Sequence, residues 1–177
     1  MAATVLIREK NGSGETATDK TSGTVRFKNA DNATVDANDP LVIPSSGQEY
    51  SFEKWLQMQI GGTGPDTNIT NLEFYMDGSN DYGTGVELWC RAVAAFETPG
   101  IPSESNDPPE VPVNGTPAAA TDAFTYNLSG ALSLGAGPYS GTNTDIGDYL
   151  ILVMEVETSA SQGSLSAETA TFRYDEI

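Results

Sequence analysis

Along residues 69–96 the chain reads ITNLEFYMDGSNDYGTGVELWCRAVAAF, and its apolar positions recur with a period of two. Leu72, Phe74 and Met76 share one face, with Glu73, Tyr75 and Asp77 on the other. Further on, Val86, Leu88, Cys90, Ala92 and Ala94 alternate with Glu87, Trp89, Arg91 and Val93. Such alternation belongs to strands with one face in water. The stretch between them is rich in Gly, Asn and Asp, which are turn formers, so the pattern predicts a central hairpin.

The rest of the chain organises around that hairpin. Residues 4–10 and 24–29 alternate more weakly and predict strands, with Val5, Ile7, Val25 and Phe27 inward. Residues 11–23 have loop composition, and residues 1–22 together read as a mobile N-terminal arm. Pro40 and Pro44 confine residues 41–43 to a short edge strand. Residues 51–60 are ambiguous, because Phe52, Trp55 and Leu56 have helical spacing while Leu56, Met58 and Ile60 alternate. The reading adopted is one helical turn capped by Ser51 that runs into a strand, with the Gln side chains facing water. The Gly-rich residues 61–66 end that strand.

Residues 98–122 hold six of the ten prolines and little that is apolar. They predict a long surface excursion or a partner-binding arm, a linker between two domains being the rival. Residues 124–134 alternate loosely, and 135–147 read as a Gly-rich turn. Residues 149–157 are apolar on both faces and predict a covered, central strand. Residues 168–174 end the series, with Ala170, Phe172 and Tyr174 on one face and Thr171 and Arg173 on the other. About eight strands and no long amphipathic helix predict an all-β fold in a single domain, residues 1–177. Its expected form is an antiparallel two-sheet β-sandwich with a long Pro-rich surface loop, a jelly roll being one version of it.

Charge narrows the partners. The formal net charge is −17 with only eight Lys and Arg, which argues against nucleic acid and anionic membranes as partners. It is unevenly spread: residues 1–60 carry six basic and eight acidic groups, residues 61–177 two and seventeen. The N-terminal third is therefore the less repellent side for an acidic partner, with Arg8, Lys10, Lys20, Arg26 and Lys28 as candidate interface residues. Charge that simply keeps the domain soluble explains the same numbers. The apolar run before Arg8 is too short for a signal-peptide core or a membrane span.

Candidate chemistry is sparse. The chain has no histidine, which removes Ser-His-Asp and Cys-His catalysis and His-ligated zinc. The single Cys90 can form neither an intrachain disulfide nor a thiolate cluster, and its place on an apolar face reads as a small buried hydrophobe. No phosphate-loop motif occurs. Paired carboxylates could hydrolyse a glycoside, but among 25 Asp and Glu no spacing singles out a pair. Asp77, Ser79 and Asp81 resemble the start of a calcium loop, yet Tyr82 and Leu88 stand at its glycine and glutamate positions, and a turn explains them better. The expectation is no catalytic residue, no cofactor and no metal. Tyr75, Trp89 and Val93 lie on nominal outer faces, where they would form a sugar-stacking platform, a subunit interface or covered core.

The run Tyr50-Ser51-Phe52-Glu53-Lys54-Trp55-Leu56, the stretch of residues 69–78 and the ending Thr171-Phe172-Arg173-Tyr174-Asp175-Glu176 resemble stretches of virion structural proteins of tailed bacteriophages. Capsid decoration, or cement, proteins are the most similar class. The resemblance covers about half of the chain and rests on no catalytic signature. It implies a non-enzymatic protein on the exterior of the capsid, synthesised in the bacterial host cytoplasm. It further implies a homo-oligomer, a trimer by resemblance, that contacts the major capsid protein or other virion proteins. The alternative is a carbohydrate-binding or host-adsorption module of a phage fibre or tail. The Pro-rich residues 98–122 fall outside the resemblance.

Overall fold

The computed structural model describes residues 3–62 and 68–177. Twelve strands are formed among them: β1 (Thr4–Asn11), β2 (Thr16–Asp19), β3 (Gln48–Tyr50), β4 (Lys54–Gly61), β5 (Ile69–Tyr75), β6 (Val86–Val93), β7 (Glu110–Val111), β8 (Ala118–Ala119), β9 (Thr121–Asp122), β10 (Leu132–Gly135), β11 (Thr144–Glu157) and β12 (Thr171–Glu176), with one 3-10 turn at Ala123–Thr125. The larger sheet has the order β2-β1-β4-β11-β6-β9, with β3 also on β11; the smaller has the order β10-β5-β12. All pairings are antiparallel. The division is uneven, seven strands against three, and β7 and β8 pair as a separate two-stranded ladder.

The larger sheet is built on β11, as its two-sided apolar sequence leads one to expect. One edge of β11 takes β4 and then β3, and the other takes β6. Its even-numbered residues Leu150 and Leu152 meet Leu56, Met58, Leu88 and Cys90 on the inner face, and Leu72 and Phe74 close the core from the smaller sheet. Its odd-numbered Ile151 and Val153 face outward with Tyr50 and Trp55, and are buried there as well. A register shift between Ile146 and Leu150 brings the two sheets together at Gly147. Gly147 has φ +70°, and a Cβ there would lie 2.5 Å from the Leu134 carbonyl oxygen and from Leu72 Cδ1. Only glycine suits both the dihedral and the approach.

Several sequence expectations need correction. Residues 69–96 do not form a hairpin: β5 and β6 lie in different sheets, and residues 76–85 arch between them. The alternation correctly marks Leu72, Phe74, Met76, Val86, Leu88 and Cys90 as buried, although Ala94 is exposed. Alternation fixes the face that a strand buries and leaves its hydrogen-bonding partner open. Within residues 11–23, which have loop composition, the turn at Gly12–Glu15 leads into β2, so that β1 and β2 form a hairpin. Residues 24–29 and 41–43 join no ladder, although Val25, Phe27, Leu41 and Ile43 still pack on the core.

No helical turn precedes β4. The hydroxyl of Ser51 accepts from the Met154 N–H instead of capping a helix, and Gln57 is buried with its Nε2 donating to the Gly147 carbonyl. The strand-breaking residues 61–66 lie mostly outside the described residues.

Candidate functional surfaces and the buried charges

The Pro-rich residues 98–120 lie as a strap over the outer face of the larger sheet. Val111 and Ala120 complete an apolar cluster with Tyr50, Trp55, Ile151 and Val153, flanked by Trp89, Val93, Phe96 and Tyr149. Trp55 meets the rings of Phe96 and Tyr149 edge-on, at 5.1 and 5.7 Å between centroids. Having few apolar side chains of its own, the strap is fastened by polar groups of the sheet. The carboxylate of Glu53, fully buried, accepts from Gly100 N (3.2 Å) and Val113 N (2.8 Å) on the two legs of the strap, and from Trp55 Nε1 (3.1 Å). The Arg91 guanidinium donates to the Val111 carbonyl, and the Tyr50 hydroxyl to the Asn106 carbonyl. Among the described residues no cation contacts Glu53, and desolvation holds its carboxyl above the usual range against the pull of those three donors.

A second buried carboxylate lies nearby. Glu155 accepts from Trp89 Nε1 at 2.6 Å, and burial raises its pKa. Glu87 stands directly opposite it across the β6–β11 ladder. Its own carboxyl is raised first by desolvation and then by Asp122, Glu157 and Asp107.

The inner face differs at its β1–β4 end. Here Glu9 is fully buried between two lysines, 3.3 Å from Lys54 Nζ and 3.5 Å from Lys20 Nζ. Lys54 Nζ also donates to the Asn32 carbonyl, and Lys20 Nζ to the Thr24 and Ala33 carbonyls. These bonds tie the strandless residues 20–47 to the sheet. Lysine is almost never buried unless paired, yet all four lysines of this chain are: Lys10 is 4 %, Lys20 9 %, Lys28 1 % and Lys54 0 % exposed.

The proposed interface residues separate accordingly. Lys10 is held by Asp145 (2.6 Å) and Glu15 (3.3 Å), Lys20 by the Glu9 cluster and Lys28 by Asp36 (3.0 Å), so none of the three presents its ammonium to a partner. Arg8 is half-buried, with its guanidinium on the Ala17 carbonyl. Arg26 and Arg173 are the exposed cationic side chains among the described residues. Trp89 lies beneath the strap, whereas Tyr75 is on the outer face of the smaller sheet under the Arg173 guanidinium, 5.6 Å from the ring centroid. The two rings share no platform. In the sequence, Lys54 and Glu53 lie in a segment whose spacing is half helical, which hides their burial. A charged residue flanked by Trp55 and Leu56 was the available signal.

Other candidates have structural partners. Cys90 is buried, its thiol pushed up to about 12 mainly by desolvation. Asp77 and Asp81 accept from Ser79 in a turn. Among the described residues no group of His, Cys, Asp and Glu could hold a metal ion, and no helix is long and apolar enough to cross a membrane. No protein-family model, no curated protein and no solved structure matches this chain.

Proposed function

We propose that this chain is a structural, non-enzymatic component of a tailed-bacteriophage particle, a decoration protein that binds the exterior of the assembled head and stabilises it. The observation that carries the reading is the resemblance of residues 50–56, 69–78 and 171–176 to virion proteins. In the fold these segments form the start of β4, the centre of the smaller sheet and the edge strand β12. A protein that binds only the assembled shell stabilises it by mass action and needs surfaces rather than a catalytic site.

Burial of the lysines changes the side by which it would dock. An N-terminal face that attracts an acidic shell through Lys10, Lys20 and Lys28 is not available, since all three are committed internally. The exposed charged side chains are mostly carboxylates, and the complementary partner is basic, such as an Arg- and Lys-rich patch of a major capsid protein.

The test is biochemical. Virions purified from a culture that produces this protein should carry it in stoichiometric amount, and heads stripped of it should take up the purified chain in a salt-sensitive manner. Finding it only in the soluble fraction would overturn the reading. Retention on host-cell glycans with no binding to heads would favour an adsorption module instead. Deleting residues 2–20 is not a clean test, because β1 and β2 go with them.

A further inference from the structure

One group of residues in the buried end of the inner face is arranged for a reaction. Lys10 pairs with Trp55 at the end of the β1–β4 ladder, and continuing that register by one sets Asn11 opposite Lys54. Directly opposed residues have Cβ atoms about 5 Å apart. Glu9, two residues before Asn11, is on the same face. Its Oε1 is shared: Lys54 Nζ lies 3.3 Å from it, and Asn11 Nδ2 donates to it at 3.4 Å. Asn11 Nδ2 also donates to Asp31 Oδ1 at 2.9 Å. An amine, a carboxamide and a carboxylate touching both are thus enclosed together, with Glu9 and Lys54 fully buried and Asn11 nearly so.

We propose that Lys54 and Asn11 form an intramolecular amide cross-link, with Glu9 as the acid–base group that promotes it. In the buried pair the Lys54 ammonium passes a proton to the Glu9 carboxylate, which leaves a neutral amine. Desolvation already lowers the pKa of Lys54, and a buried lysine that loses its proton becomes a nucleophile. The Nζ lone pair attacks Cγ of Asn11 and the C–N bond forms while the Glu9 proton goes to the carbonyl oxygen. Collapse of the tetrahedral intermediate breaks the bond from Cγ to Nδ2. Glu9 relays first the proton of the attacking nitrogen and then the hydroxyl proton to the departing nitrogen, which leaves as ammonium while the C=O re-forms. Lysine ammonium and carboxamide have become amide and ammonium, no redox partner is needed, and Glu9 ends as it began.

The surroundings suit both ends of this reaction. Both contacts of Nδ2, the leaving nitrogen, are carboxylates, which hold it where a proton is to be delivered. When the charge of Lys54 is consumed, Glu9 still faces Lys20 at 3.5 Å, so the buried carboxylate keeps a counter-charge. A structural ion pair alone would need one lysine. Glu9 Oε2 is moreover buried without a hydrogen bond. The link would join β1 to β4 covalently, as suits a part of a pressurised shell, but it does not depend on that role.

Intact-mass spectrometry of the purified full chain tests it directly. The folded protein should be lighter than its sequence mass by one ammonia, and a protease digest should contain a branched peptide joining the region of residue 11 to that of residue 54. Asn11 precedes Gly12, and ring closure onto the Gly12 nitrogen would lose the same ammonia; only the branched peptide and dependence on Lys54 identify the cross-link. Glu9→Gln, Asn11→Ala and Lys54→Met should each return the chain to full mass. Wild-type protein of full mass, or a light species without the branched peptide, would overturn the proposal. A branched peptide that persists in Glu9→Gln would remove Glu9 from its role.

Discussion

Buried carboxylates are handled in opposite ways on the two faces of the larger sheet. At the β1–β4 end of the inner face, carboxylate and ammonium groups are enclosed together, Glu9 with Lys20 and Lys54. On the outer face, Glu53 and Glu155 are enclosed with N–H donors and, among the described residues, no cation. An ion pair limits the cost of burying each charge by its partner's field, whereas a lone carboxylate relies on donated hydrogen bonds and gains from accepting a proton. Both arrangements fasten a segment lacking long strands. The paired one holds residues 20–47; the lone one holds the strap and responds to mild acid.

The largest expected effect is loss of the outer fastener. Glu53→Ala leaves the N–H groups of Gly100, Val113 and Trp55 without their acceptor in a buried place, at a cost of about 3–5 kcal/mol in urea unfolding. A loss below about 1 kcal/mol would mean that the strap finds other partners and that the contrast between the faces is overdrawn. Leu88→Ala, in the apolar core common to both regions, should cost about 2–5 kcal/mol.

The pH dependence of stability separates the two modes of fastening. Folding raises the carboxyls of Glu53 and Glu155 above their ordinary 4.5, so over the window from about 4.5 upward the folded chain holds protons that the unfolded chain has released. Stability therefore rises as pH is lowered from neutrality into that window. Asp36, hydrogen-bonded to Lys28, is held below 3.8, and its contribution is lost only as pH falls past that value. Thermal unfolding should accordingly show a maximum in mild acid. In Glu53→Gln the rise between neutrality and that maximum should shrink, and an unchanged profile would place its source elsewhere. The smallest effect belongs to Glu87→Ala. This exposed residue faces Glu155 across the ladder, and its removal should change stability by under about 0.5 kcal/mol. A loss as large as that at Leu88 would reverse the assigned faces of β6.

The alternation of apolar residues by itself determined an all-β chain, the buried faces of β5 and β6 and the central place of β11, because a strand's period of two is a local property and a strand apolar on both sides must be covered on both. It did not determine that β5 and β6 belong to different sheets, since partners are chosen by non-local packing. Nor could composition foretell β2 in a Gly- and Thr-rich stretch, where only the ladder with β1 makes the strand. The candidate site was still less legible. Lys10, Lys20, Lys28 and Lys54 look in the sequence like solvated charges, and only the enclosure of β1 and β4 beneath residues 20–47 turns them inward. Whether a lysine is a surface charge or a buried reactant depends on which groups the fold brings within about 4 Å of its nitrogen, and that distance is set by contacts far apart in the chain.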